Sequence, residues 1–175
     1  MRKLAFFLLL PLIAGCSSIK VKTQYNESVN FAQYESWCWL QGCEVVFEGP
    51  SYLYDTAVIA TISNYIAQEM YEKGFTQKDE NADLMVDFHI VVEEDSAIFS
   101  VVHEEDLPYW EDYQLKYYHF LRGTLIIDII DREAGQVIWQ ASGERYMALF
   151  PEIDDKTVKL SVKKMLKKFP PEVKD

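Results

Sequence analysis

From Leu84 to Glu94 the chain alternates without a break: Leu84, Val86, Phe88, Ile90 and Val92 fall on one side, Met85, Asp87, His89, Val91 and Glu93 on the other. A period of two with one polar side predicts a strand that buries one face and wets the other, the habit of antiparallel sheets. Residues 123–131 and 136–146 repeat the pattern around Asp131-Arg132-Glu133-Ala134-Gly135, a short connection that predicts a β-hairpin. Phe31–Leu40 and Glu44–Glu48, short, aromatic and β-branched, read as strands separated by a cysteine-bearing turn. Ile19, Val21 and Thr23 alternate with Lys20 and Lys22, so residues 16–28 are expected to be a tether or an entering strand.

Twice the period lengthens to that of a helix. After Pro50-Ser51, residues Val58, Ile59, Ile62, Tyr65, Ile66 and Met70 share one face while Asn64, Gln68 and Glu72 lie opposite, and Gly74 supplies a left-handed cap. Asp154 or Asp155 caps a second helix with Val158, Val162, Met165, Leu166 and Phe169 on one face and Lys156, Lys159, Lys163 and Lys167 on another, stopped by Pro170-Pro171. Those lysines suit the helix macrodipole and a solvated face; they are also the one concentrated basic patch available to a membrane or partner. These elements predict an α+β fold over residues 29–170: a single domain, mainly antiparallel sheet with two amphipathic helices packed on one face, and a tail at 171–175. A length of 175 residues allows one such core, and 49% hydrophobic residues exclude disorder. The formal charge of −11 repels phosphate backbones, so no nucleic-acid partner is expected.

The first residues change the setting. Arg2 and Lys3 precede an apolar run, Leu4 to Ile13, too short to span a bilayer, and Ile13-Ala14-Gly15-Cys16 reads as a lipobox. The spacing resembles bacterial lipoprotein signals, which implies that residues 1–15 are removed and that Cys16 carries a diacylglyceryl group on its sulfur and a further chain on its freed amine. One acyl chain binds a membrane only marginally, whereas about two or more anchor it stably. Ser17 and Ser18 follow with no Asp after the cysteine, which in such signals implies the outer membrane, with the domain facing the periplasm.

Phe31-x-x-Tyr34-x-x-Trp37-Cys38-Trp39-Leu40, Lys73-Gly74-Phe75, Ala82-Asp83-Leu84-Met85-Val86-Asp87-Phe88-His89, Gly123-Thr124-Leu125-Ile126-Ile127-Asp128-Ile129-Ile130-Asp131, Val137-Ile138-Trp139 and Lys163-Lys164-Met165-Leu166-Lys167-Lys168-Phe169-Pro170 occur in that order along the chain. In this order they resemble bacterial envelope lipoproteins of the "domain of unknown function 4136" family. The resemblance implies a small α+β envelope module with helices on one sheet face, and it brings no activity. The Cys38/Cys43 pair and the length of the acidic aromatic segment depart from the family pattern.

Nucleophile elbows, zinc-protease motifs, EF-hand loops and Gly-rich phosphate cradles are missing from the sequence. Asp87, His89 and Glu93 share a strand face, with Asp128 near on the next strand, a set able to take a divalent metal or do acid and base work in a periplasmic enzyme; the wet side of a sheet looks the same. Tyr109, Trp110, Tyr113, Tyr117 and Tyr118 crowd an acidic stretch, and rings of this kind either pack on their own sheet or meet a partner or ligand. The expected reading is therefore a membrane-anchored binding or structural module for an unidentified envelope protein or ligand, with no cofactor.

In an oxidising compartment the spacing of Cys38 and Cys43 suits a bridge across a turn at Gly42; two buried thiols, or a redox or metal pair of unusual spacing, are the alternatives. Protein isolated from the periplasm without reductant should then resist alkylation at both thiols, and full alkylation in non-reduced material excludes the bridge.

Overall fold

The computed structural model describes residues 19–40, 45–102 and 113–171. Seven strands and two helices follow one another as β1 (Lys20–Tyr25), β2 (Ser36–Trp39), β3 (Val46–Glu48), α1 (Thr56–Glu72), β4 (Thr76–Gln77), β5 (Leu84–Val102), β6 (Tyr113–Asp131), β7 (Gln136–Met147) and α2 (Asp155–Leu166). The strands form one mixed sheet in the order β1-β7-β6-β5-β2-β4, with β3 also on β5. The long ladders β5/β6, β6/β7 and β1/β7 are antiparallel, whereas β2/β4, β2/β5 and β3/β5 are parallel. This is an α+β domain centred on β5.

Alternation decides what β5 buries. Leu84, Val86 and Phe88, with Ile129 and Ile127 opposite Val86 and Phe88 on β6, are at most 2% exposed, while Asp87, His89 and Met85 lie on the other side, partly open. The buried strand residues belong to one cluster with Ile62, Ile66 and Met70 of α1 and Val158, Val162, Met165 and Leu166 of α2. Leu125 and Ile90 pack at its margin, half-buried. Gly143 has no room for a side chain: a Cβ there would lie 2.5 Å from Ile19 Cδ1 and 2.7 Å from Met165 Sδ.

Several boundaries depart from expectation. Pro50-Ser51 starts a 3-10 turn, Ser51–Leu53, and α1 begins only at Thr56, because the Asp55 carboxylate caps the free N–H groups of Ala57 and Val58. Gly74, at φ +90, ends it as expected. Phe31–Gln33 is a 3-10 turn, so β2 is shorter than predicted, and Lys20–Tyr25 is a strand within the sheet. β2 and β3 do not form a hairpin: both run along the same edge of β5, Trp39 opposite Val86 and Val46 opposite His89. Asp154 is the cap of α2.

The β2–β5 junction is held by one carboxylate. Asp83 Oδ2 accepts from Glu35 N (3.0 Å), Ser36 N (2.9 Å) and the buried Ser36 hydroxyl (2.8 Å), whose oxygen accepts in turn from Asp83 N (3.1 Å). These bonds, chiefly the Glu35 N–H, hold the Asp83 carboxyl below the usual carboxylate range. Asp131 is lowered likewise by the Tyr34 hydroxyl (2.6 Å), which reaches it from the segment before β2, and by the Ala134 N–H (2.9 Å) within the β6–β7 turn.

A carboxyl depressed in the folded state contributes stability that is complete above its unfolded value of about 3.9 and is lost as pH falls toward the folded value. The Asp83 and Asp131 contribution to the denaturant midpoint should therefore be complete above about pH 5 and be lost as pH falls below about 4. In Asp83→Asn the acid-side slope should shrink; an unchanged slope would show that Asp83 is not one of its sources. Asp83→Ala should cost about 2 kcal/mol at neutral pH, because it strips the buried Ser36 hydroxyl of its acceptor.

Candidate functional site

Even spacing puts Asp87 and His89 on the open face of β5, and the antiparallel register sets Asp128 of β6 directly across from Asp87. His89 Nε2 lies 3.3 Å from Asp87 Oδ2 and 3.5 Å from Asp128 Oδ2, so one imidazole bridges two carboxylates. Each carboxylate's other oxygen is already used: Asp87 Oδ1 accepts from Phe88 N (2.8 Å), and Asp128 Oδ1 from Gln140 Nε2 on β7 (2.6 Å). Gln24 Nε2 of β1 donates to Gln140 Oε1 (2.6 Å), so the polar row crosses four strands. Glu93 does not join it. Its carboxylate pairs with Arg122 (2.7 Å), the residue opposite it in register. Among the described residues no group of three or more His, Cys, Asp or Glu is arranged to hold a metal ion. The row ties neighbouring strands together through side-chain contacts.

The described part of the aromatic segment, from Tyr113 on, lies on a β-ribbon. Past the last β7 partner, Leu121, β5 and β6 continue together from Asp95↔Phe120 to Val102↔Tyr113 with no third strand among the described residues. At about 3.4 Å per residue this ribbon is about 25 Å long. Alternation puts Ile98, Leu115 and Tyr117 on one face and Phe99, Tyr118 and Phe120 on the other. Ile98, Phe99, Leu115, Tyr117 and Tyr118 are all more than half exposed. Phe99 and Tyr118 meet edge to face (5.4 Å), as do Phe120 and Tyr146 of β7 (5.4 Å). Tyr109 and Trp110 lie outside the described residues, and Tyr113 is placed by its backbone at the ribbon's end. Cys16 and Cys43 also lie outside them; Cys38 is buried in β2.

A third feature escaped the sequence reading. Where the core face of the sheet passes Phe88, the starts of α1 and α2 leave an apolar groove of about 560 Å³. Its floor is Ile90, Val92 and Leu125, its walls Val58, Ile59 and Val158, and Ile19 lies along it. Asp55, Arg145 and Glu152 are its charged members, and Arg145 Nε is buried with no hydrogen-bond partner. The signal was present in the alternation of β5, whose apolar face runs beyond the length that two such helices cover.

The chain matches the family described as Domain of unknown function (DUF4136) over residues 21–171. It belongs to that family. Among solved structures, a PDZ domain protein from Parabacteroides distasonis is similar to this DUF4136 chain at 14% identity and a TM-score of 0.53, over 87% of this chain and 35% of that one. The chain thus spans about a third of that protein, and the likeness shows the fold alone. A PelC dodecamer from Paraburkholderia phytofirmans is similar at 10% identity and a TM-score of 0.48, over 85% of this chain and 95% of that one. No curated protein matches the DUF4136 chain. Among the described residues no helix is long and apolar enough to cross a membrane.

Asp128 and Glu93 separate the two kinds of carboxylate on this DUF4136 face. Asp128→Ala leaves Gln140 without its acceptor in a largely buried place and should lower stability by about 1 to 3 kcal/mol in chemical denaturation. Glu93→Gln, which touches only an open ion pair, should leave the denaturation midpoint unchanged.

Proposed function

We propose that this DUF4136 chain is a lipoprotein of the bacterial envelope, anchored at the outer membrane by acyl chains on Cys16 and facing the periplasm. In that place it serves as a binding or structural module, and the β5–β6 ribbon is its contact surface. The observation that carries the proposal is the ribbon's composition. A two-stranded hairpin alone is marginally stable in water, yet this one holds Ile98, Phe99, Leu115, Tyr117 and Tyr118 open on two faces instead of folding them onto the domain. Large rings with few rotors are the side chains that dominate protein contacts, because they bury much area for little lost freedom. The partner is another envelope component, met through rings on an otherwise acidic chain. The anchor rests on the positive start, the short apolar run and Cys16 at its edge. Metal-dependent or acid/base chemistry at Asp87, His89 and Glu93 has less support, since Glu93 is committed to Arg122.

Tyr117→Ala with Tyr118→Ala should weaken capture of partners by crosslinkers placed at Phe99 in intact cells, with the melting curve unchanged. His89→Ala in a folded protein should leave capture intact; the reverse pattern would move the function to the polar row. Cys16→Ala should release the chain from membranes or leave it uncleaved. Wild-type palmitate labelling of that variant would refute the anchor.

A further inference from the structure

We infer that the groove between α1, α2 and the sheet holds an acyl chain carried by the protein's own Cys16. The inference rests on the lipid anchor proposed above and says where one of its chains goes. Ile19 lines the groove, and its carbonyl accepts from Lys164 Nζ of α2 at 2.6 Å, so Ile19 itself is held at the groove's side. Cys16 lies three residues upstream, within about 11 Å of extended chain.

The chemistry of the lining selects the occupant. Ile90, Val92, Leu125, Val58, Ile59 and Val158 offer methyl and methylene surface to a hydrocarbon, in a volume within the usual range for ligand pockets. Asp55 and Glu152 on the lining disfavour an anionic headgroup. Arg145 Nε, buried and without a hydrogen-bond partner, calls for an acceptor. The ester or amide carbonyl at the head of a protein-linked acyl chain is such an acceptor; a free fatty acid's carboxylate would also satisfy Arg145, so the choice between them falls to the tether.

Tethering decides between this chain and a free lipid of equal affinity. A short linker gives the attached group an effective concentration on the order of millimolar. A methylene gains about as much from leaving water in a protein groove as in a bilayer. One chain can therefore occupy the groove while the others keep the anchor.

The test uses the full chain, acylated in cells fed diazirine palmitate, purified in detergent, irradiated and digested. Intact mass should show acyl groups on Cys16, and the label should join the N-terminal peptide to peptides containing Val58–Ile62 or Ile90–Val92. Val58→Trp, which fills the wall from a half-exposed position, should lose those links while keeping acylation and its circular dichroism melt. An acylated chain whose label reaches only detergent or phospholipid overturns the groove assignment and leaves the anchor standing. Groove peptides linked to free lipid instead of the N-terminal peptide overturn it in favour of a bilayer-lipid site. A chain without acyl mass on Cys16 overturns the anchor and this inference together.

Discussion

Everything in this fold depends on the register of β5 against β6. The side-chain period of a strand is two, so a slip by one residue would exchange Val86 and Phe88 for Asp87 and His89 and drive two ionisable groups into the core. The cost of burying them unpaired is several times the gain from any one apolar contact, and one pairing is selected. The same choice places Asp128 across from Asp87 and Arg122 across from Glu93. It also carries the apolar stripe of β5 past the helices, where it becomes the floor of the groove.

How much of this was legible follows from how much each segment buries. Residues 84–94 could be read because one face is dry and the other wet. The helices could be read from their stripes, although the start of α1 could not: Pro50-Ser51 satisfies a 3-10 turn, and the competing cap at Asp55 lies deeper in the segment. Strand direction is not written in short apolar runs, so the parallel pairing of β2 and β3 with β5 was hidden, and β4, two residues long, has no period at all. Residues 95–102 and 113–120 escaped assignment for a related reason. With apolar groups on both faces of the ribbon, alternation vanishes although the strands persist.

The candidate site divides in the same way. Asp87 and His89 could be paired from even spacing alone. The ion pair of Glu93 was hidden because its partner, Arg122, stands one residue before the strand that the sequence predicts, and only the longer β6 brings the two together. The resulting polar row from Gln24 to His89 is largely self-satisfied, and a self-satisfied network favours one arrangement of strands over another more than it favours a substrate.

β1 runs antiparallel to β7, and β7 runs in the direction of β5. The upstream end of β1 therefore faces the same end of the sheet as the ribbon's outer reach. Under an anchor at Cys16 the domain would stand with its ribbon pointing toward the lipid and its β6–β7 turn toward open periplasm. Such an orientation is a filter on encounters. Components seated in or against the membrane would reach the rings with little searching, whereas a freely diffusing protein would have to approach through the narrow gap beneath the domain.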